Sequence, residues 1–238
     1  MKYQKEKERI NQNIKTNQNN LVEFIWPIIS TYSSVFKDMY VKNIELMDNE
    51  TAKFLDQQLG IDYLAVSKDF PGRSIFFSYR ESYRSERVGV RESIVLRACN
   101  VYEGRDEIKN VEFTKYLNAF SFSNDTAMPP YYIQTCFDKL NKKLISATIF
   151  KTKEIIPFIN QYRTGLIQNN IIDVVPIYKQ QNYNYVYDKN KGRCLDGRFY
   201  KVLWKTMDEF NIPYVAIFEK EYKDTLIYIE EKRNGFII

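Results

Sequence analysis

Three runs of strand-forming residues stand close together in this chain, over residues 61–66, 74–80 and 88–96, and they constrain the fold more than any other feature. Each is rich in β-branched or aromatic residues, and Pro71-Gly72 marks the turn between the first two. A meander of this kind puts a sheet at the centre. Helical patterns flank it. Leu21, Phe24, Ile25, Ile28 and Ile29 recur at helical spacing, with Pro27 confined to a first turn or a kink. Residues 51–60 read as a second helix, with Asn49 as its cap, Phe54, Leu55 and Leu59 inward, and Gly60 as its stop. A third, over 106–120, carries Ile108, Val111, Tyr116, Leu117 and Phe120 near the 3.6-residue period.

A hairpin follows, with strands over 131–137 and 144–150 about a polar turn at 141–143. Thr152 is the expected cap of a helix over 153–162 that buries Ile155, Ile156 and Ile159. Residues 165–170 form a plausible joint. Beyond them the pattern gives strands at 171–179 and 183–187, a turn at 188–192, a helix over 198–210, and strands at 213–219 and 225–230. The expected fold class is α/β (α+β), with a mixed sheet and flanking helices. Its parts are a polar N-terminal arm over 1–20, a core over 21–165, and a C-terminal α+β subdomain over 171–238 with β-β-α-β-β order.

Composition narrows the chemistry. The chain contains no His, which removes Ser-His-Asp and Cys-His nucleophile activation, His-ligated metals and a histidine pH switch. Its three cysteines, Cys99, Cys136 and Cys194, are far apart and form no C-x-x-C pair, so they read as reduced thiols. Apolar runs are only a few residues long, and residues 1–20 hold no apolar core of a signal peptide, so the expected location is cytoplasmic, in a host cell. There is no G-x-G-x-x-G and no Walker-type loop.

The net charge of +5 is mild, but its distribution is uneven. Arg73, Arg80, Arg84, Arg87, Arg91 and Arg97 fall within 25 residues, and no Lys occurs between Lys68 and Lys109. A chain that otherwise favours Lys switches here to the planar guanidinium, suited to bidentate phosphate or carboxylate contacts. The plainer alternative is an exposed lattice in which Glu81, Glu86 and Glu92 pair with these arginines. Tyr178, Tyr183, Tyr185 and Tyr187 form a ladder of rings that suits either base stacking or core packing.

Asp62 stands at the start of the 61–66 strand, beside a strand that ends at Arg80. A carboxylate in that place is suited to hold Mg²⁺ against a phosphodiester, where the metal lowers the pKa of an attacking water without any histidine. With Gly60-Ile61-Asp62-Tyr63, the arginine-rich stretch through Val90-Arg91-Glu92, Glu107-Ile108-Lys109, and Tyr132-Ile133-Gln134 leading to Lys151-Thr152-Lys153, the chain resembles the PD-(D/E)xK nuclease superfamily over residues 45–162. The likeness is to small members found in phage and other mobile elements.

The resemblance implies a nuclease-like core and a Mg²⁺ site with Asp62 and Asp56 as ligands. It implies Arg80 or Lys109 as stabilisers of phosphate charge, and Arg73, Arg84, Arg87, Arg91 and Arg97 as contacts to DNA or RNA. The chain departs from the family pattern where a second carboxylate and a Lys are expected: Ser78 and Arg80, or Phe76 and Ser78, stand there. Asp56, Glu50 or Glu92 would have to supply that carboxylate, while Glu107-x-Lys109 is an E-x-K at a helix start. Two further expectations stay open, a non-catalytic interaction protein of a mobile element that holds nucleic acid or a protein partner, and a virion-associated module.

Overall fold

A computed structural model of the chain describes residue 12 and residues 15–44, 50–51, 54–55, 60–70, 72–83, 93–102, 105–108, 130–163, 172–176, 186–188 and 192–238. Its strands are β1 (Met39–Asn43), β2 (Tyr63–Ser67), β3 (Ser74–Tyr83), β4 (Ser93–Tyr102), β5 (Arg105–Ile108) and β6 (Tyr131–Asp138). They continue with β7 (Lys143–Lys151), β8 (Ile172–Pro176), β9 (Val186–Asp188), β10 (Gly192–Leu203), β11 (Tyr214–Tyr222) and β12 (Thr225–Arg233). A π-helical turn, Leu21–Ile25, runs into helix α1 (Trp26–Tyr32), and α2 (Thr152–Arg163) and α3 (Trp204–Glu209) follow later.

Seven strands form one sheet in the order β1-β2-β3-β6-β7-β11-β12. The β3 and β6 pair is parallel and the other neighbours are antiparallel. A second sheet has the order β5-β4-β10-β8, with β9 beside β10. The mixed sheet with flanking helices is the α/β architecture expected from the sequence. None of the described helices is long and apolar enough to cross a membrane.

The central strands are apolar without a break because both faces of the sheet are covered. Six consecutive residues of β6 and seven of β7 are buried. Successive side chains alternate between two cores. Tyr132, Phe150, Tyr214 and Ala216 pack with Ile155, Ile156 and Ile159 of α2, Trp204 and Met207 of α3, and Ile94, Leu96 and Val202 of the second sheet. Ile133, Phe137, Ile149, Val215 and Ile217 pack on the opposite side with Leu21, Ile25, Trp26 and Ile29. Pro27 lies in the first turn of α1, which follows directly on the π-helical turn Leu21–Ile25.

Several expectations are corrected. The third strand of the meander belongs to the other sheet: β3 pairs with β6, whereas β4 pairs with β5 and β10. Residues 105–108 form β5 against β4, so Glu107 lies on a strand rather than at a helix start. The helix expected over 198–210 is confined to α3, because residues before Trp204 are bound as β10 to β4 and β8. Phe54, expected inward, is 56% exposed. Thr152 is the first residue of α2, and its buried hydroxyl has no hydrogen-bond partner, so the expected side-chain cap is not made. Strand β1 is an addition to the sequence reading. The hairpins β6–β7 and β11–β12 agree with that reading, and Gly60 has a φ of +67°, while residues 56–59 of the expected second helix lie outside the described residues. Strand pairing crosses the joint at 165–170, since β11 joins β7 and β10 joins β4. Both sheets are thus shared by the segments on either side of it.

Candidate functional site

Asp62 lies just ahead of β2, where the chain enters the sheet after Gly60. Its own N–H donates to the Phe77 carbonyl at 3.2 Å, and its carbonyl accepts the Ile44 N–H at 3.0 Å. The half-buried carboxylate takes the Tyr79 N–H on Oδ2 at 2.7 Å. An ionised acceptor on a backbone amide makes a strong hydrogen bond, and this one ties the mouth of β2 to the middle of β3. The Ser78 hydroxyl donates to the Gly60 carbonyl and adds a second tie. Arg80 is the next residue after the clamped amide and is half-buried. Its carbonyl accepts from Gln134 Nε2 at 3.4 Å across the parallel β3–β6 pair.

The opposite face of β3 carries a different polar group. Tyr79 Oη donates to Glu81 Oε2 at 3.0 Å and lies 3.0 Å from Thr135 Oγ1. Asn20 Nδ2 donates to Glu81 Oε1 at 3.1 Å. Glu81 therefore joins the N-terminal helical segment to the sheet, a structural use that the arginine-lattice reading did not include. Burial pushes the Tyr79 phenol well above its usual range, and the Glu81 carboxylate adds to the shift. A raised folded pKa contributes stability that is present below the ordinary tyrosine value of about 10 and lost as pH rises through the folded one. An alkaline titration followed at the phenolate absorbance band should therefore show Tyr79 ionising only with unfolding. The difference between the parent and Tyr79→Phe checks this.

The structure brings Asp62, at the entry to β2, beside strand β3, which carries Arg80. Arg73 is exposed in the loop before β3, where its N–H donates to the Phe70 carbonyl at 2.8 Å. Arg97 lies on β4 opposite Phe199 of β10, in the five-stranded sheet. Arg80 thus belongs to the seven-stranded sheet, Arg73 to the loop leading into it, and Arg97 to the five-stranded sheet. Asp56, Arg84, Arg87, Arg91, Lys109 and Glu92 lie outside the described residues. So do Tyr178, Tyr183 and Tyr185, while Tyr187 is on β9.

Among the described residues no three acidic or cysteine side chains gather into a metal-binding group. Mg²⁺ usually takes one or two carboxylates, waters and substrate phosphates. The described residues offer Asp62, with one oxygen already on the Tyr79 amide, and do not by themselves compose an Mg²⁺ site. Cys136 is buried as a reduced thiol. Sequence reasoning missed the Asp62–Tyr79 clamp and the Glu81–Tyr79–Asn20 group. The first follows from β2–β3 register, and the second from an N-terminal segment that pattern alone leaves polar. No family model, no curated protein sequence and no solved structure matches this chain.

Proposed function

We propose that the chain is a nucleic-acid-binding protein of nuclease-like architecture, which takes DNA or RNA phosphates through Arg73 and Arg80. The observation that supports this most is the placement of Asp62: its carboxylate is fixed on the amide that precedes Arg80, so the half-buried guanidinium-bearing residue sits on a strand with a defined position. A positioned Arg loses less entropy per phosphate contact than a mobile Lys and matches phosphate geometry with two parallel bonds. Hydrolysis with Mg²⁺ is a stronger form of the same reading, and the binding form stands without it.

Fluorescence anisotropy with labelled DNA and RNA strands, titrated with salt, tests the proposal. Binding should weaken steeply as salt rises, because phosphate contacts release counterions. Arg73→Ala with Arg80→Ala should lower the salt slope by about two, one for each phosphate no longer neutralised. A thermal melt run alongside separates this from unfolding, since Arg80 is half-buried. Absence of binding, or affinity indifferent to salt, overturns the proposal. Strand cleavage on adding Mg²⁺ that Asp62→Asn abolishes would extend it to hydrolysis.

A further inference from the structure

The loop that joins β2 to β3 presents Phe70 with 69% of its surface exposed. The loop around it is tied by backbone hydrogen bonds. Phe70 N–H donates to Ser67 Oγ at 3.2 Å. Arg73 N–H donates to the Phe70 carbonyl at 2.8 Å, and Ser67 N–H donates to the Arg73 carbonyl at 3.0 Å. Lys68 N–H reaches the Asp38 carbonyl at 3.1 Å, which ties the loop to the turn before β1. The backbone that carries the ring is therefore set before any ligand arrives, which lowers the entropic cost of binding.

The surroundings of the ring are ionic. Lys68, Asp69, Gly72 and Arg73 are all exposed, as are Lys37 and Asp38 on the adjoining turn. The loop and the adjoining turn thus carry three cations and two carboxylates. A Cβ placed on Gly72 would meet no atom within 4 Å, so the space on that side is open. Tyr40, 39% exposed on the edge strand β1, adds a second ring, with Lys42 Nζ 5.4 Å from its centroid. A protein partner is usually held by a contiguous apolar patch. An exposed ring on a loop that also carries Lys68 and Arg73 suits a ligand with a flat π-face and adjoining negative charges, which describes an unpaired base in its sugar-phosphate chain.

We infer that Phe70 is a stacking platform for an unpaired base, with Lys68 and Arg73 taking the flanking phosphates. The inference rests on the proposed nucleic-acid binding and narrows its substrate to single strands. A duplex keeps its bases stacked on one another and offers the ring no free face.

The full chain is titrated with oligothymidylate, oligouridylate and a mixed-sequence DNA duplex. Phe70→Ala should weaken binding to both single strands by roughly tenfold, in the range of removing a base–aromatic stack, and leave duplex binding unchanged. Phe70→Trp should keep the affinity and gain fluorescence that the single strands quench, read above the buried Trp26 and Trp204. Lys68→Ala with Arg73→Ala should weaken single-strand binding and lower its salt slope by about two. Because Phe70 is exposed, its variants should melt with the parent. If the parent binds strands with the expected salt dependence but Phe70→Ala is unaffected, or loses duplex and single-strand binding alike, the stacking inference is overturned and nucleic-acid binding survives. If the parent binds no strand, both fall.

Discussion

Phe77→Ala should lower the free energy of unfolding by about 3–5 kcal/mol, the range for removing a large ring from a packed core. Phe77 is fully buried on β3. Its ring stacks on Trp26 at 5.4 Å and on Tyr63 at 5.5 Å, and meets Phe36 at 5.3 Å in a tilted arrangement. These neighbours come from α1, β2 and the turn after α1, so the cavity left by truncation is lined by separate elements that cannot all move inward. Urea unfolding followed by far-UV circular dichroism measures the loss. Phe77→Leu, which fills much of the space, should lose distinctly less. An Ala variant as stable as the parent would refute this account of how the N-terminal helix is held to the sheet.

Asp62→Ala should cost about 1–3 kcal/mol, because the Tyr79 N–H loses a charged acceptor in a partly buried place. Asp62→Asn keeps an oxygen in the same position and should retain most of that stability. The two variants separate scaffolding from chemistry. If Asp62 only clamps β3, the Asn variant keeps both stability and nucleic-acid affinity, and Ala loses affinity only as far as β3 is disturbed. If its negative charge serves a metal or a reacting group, Asn stays folded and loses that activity. Equal stability of the Ala variant and the parent would show that the clamp contributes nothing measurable.

What the sequence revealed and what it concealed have the same physical source. The hairpins β6–β7 and β11–β12 join neighbours in the chain through short turns, and their patterns are legible for that reason. The parallel pairing of β3 with β6 joins residues 54 positions apart, as at Arg80 and Gln134, and no local pattern announces it. The run from Phe199 to Leu203 suits a strand or the first turns of a helix equally well, and the pairing of β10 with two neighbours decides for the strand. Strand β1 is five residues long and sits on an edge, too short to stand out. Of the candidate site, Asp62 beside the Arg80 strand is legible because Asp62 leads into β2 and Arg80 lies on β3, neighbouring strands joined by one turn. The placement of Arg80 and Arg97 in different sheets is hidden, since six arginines near in sequence carry no record of which sheet each joins.

The late arrival of β11 has a consequence for synthesis. Seven residues of β7 are buried and one of its long sides is satisfied only by β11, which comes after α2, strands β8, β9 and β10, and α3. While a ribosome is still making the intervening residues, β7 presents an apolar ribbon of open amides, the kind of edge that recruits another copy. Stalling or premature termination ahead of Tyr214 should therefore yield insoluble protein even though the earlier hairpin has everything it needs to form.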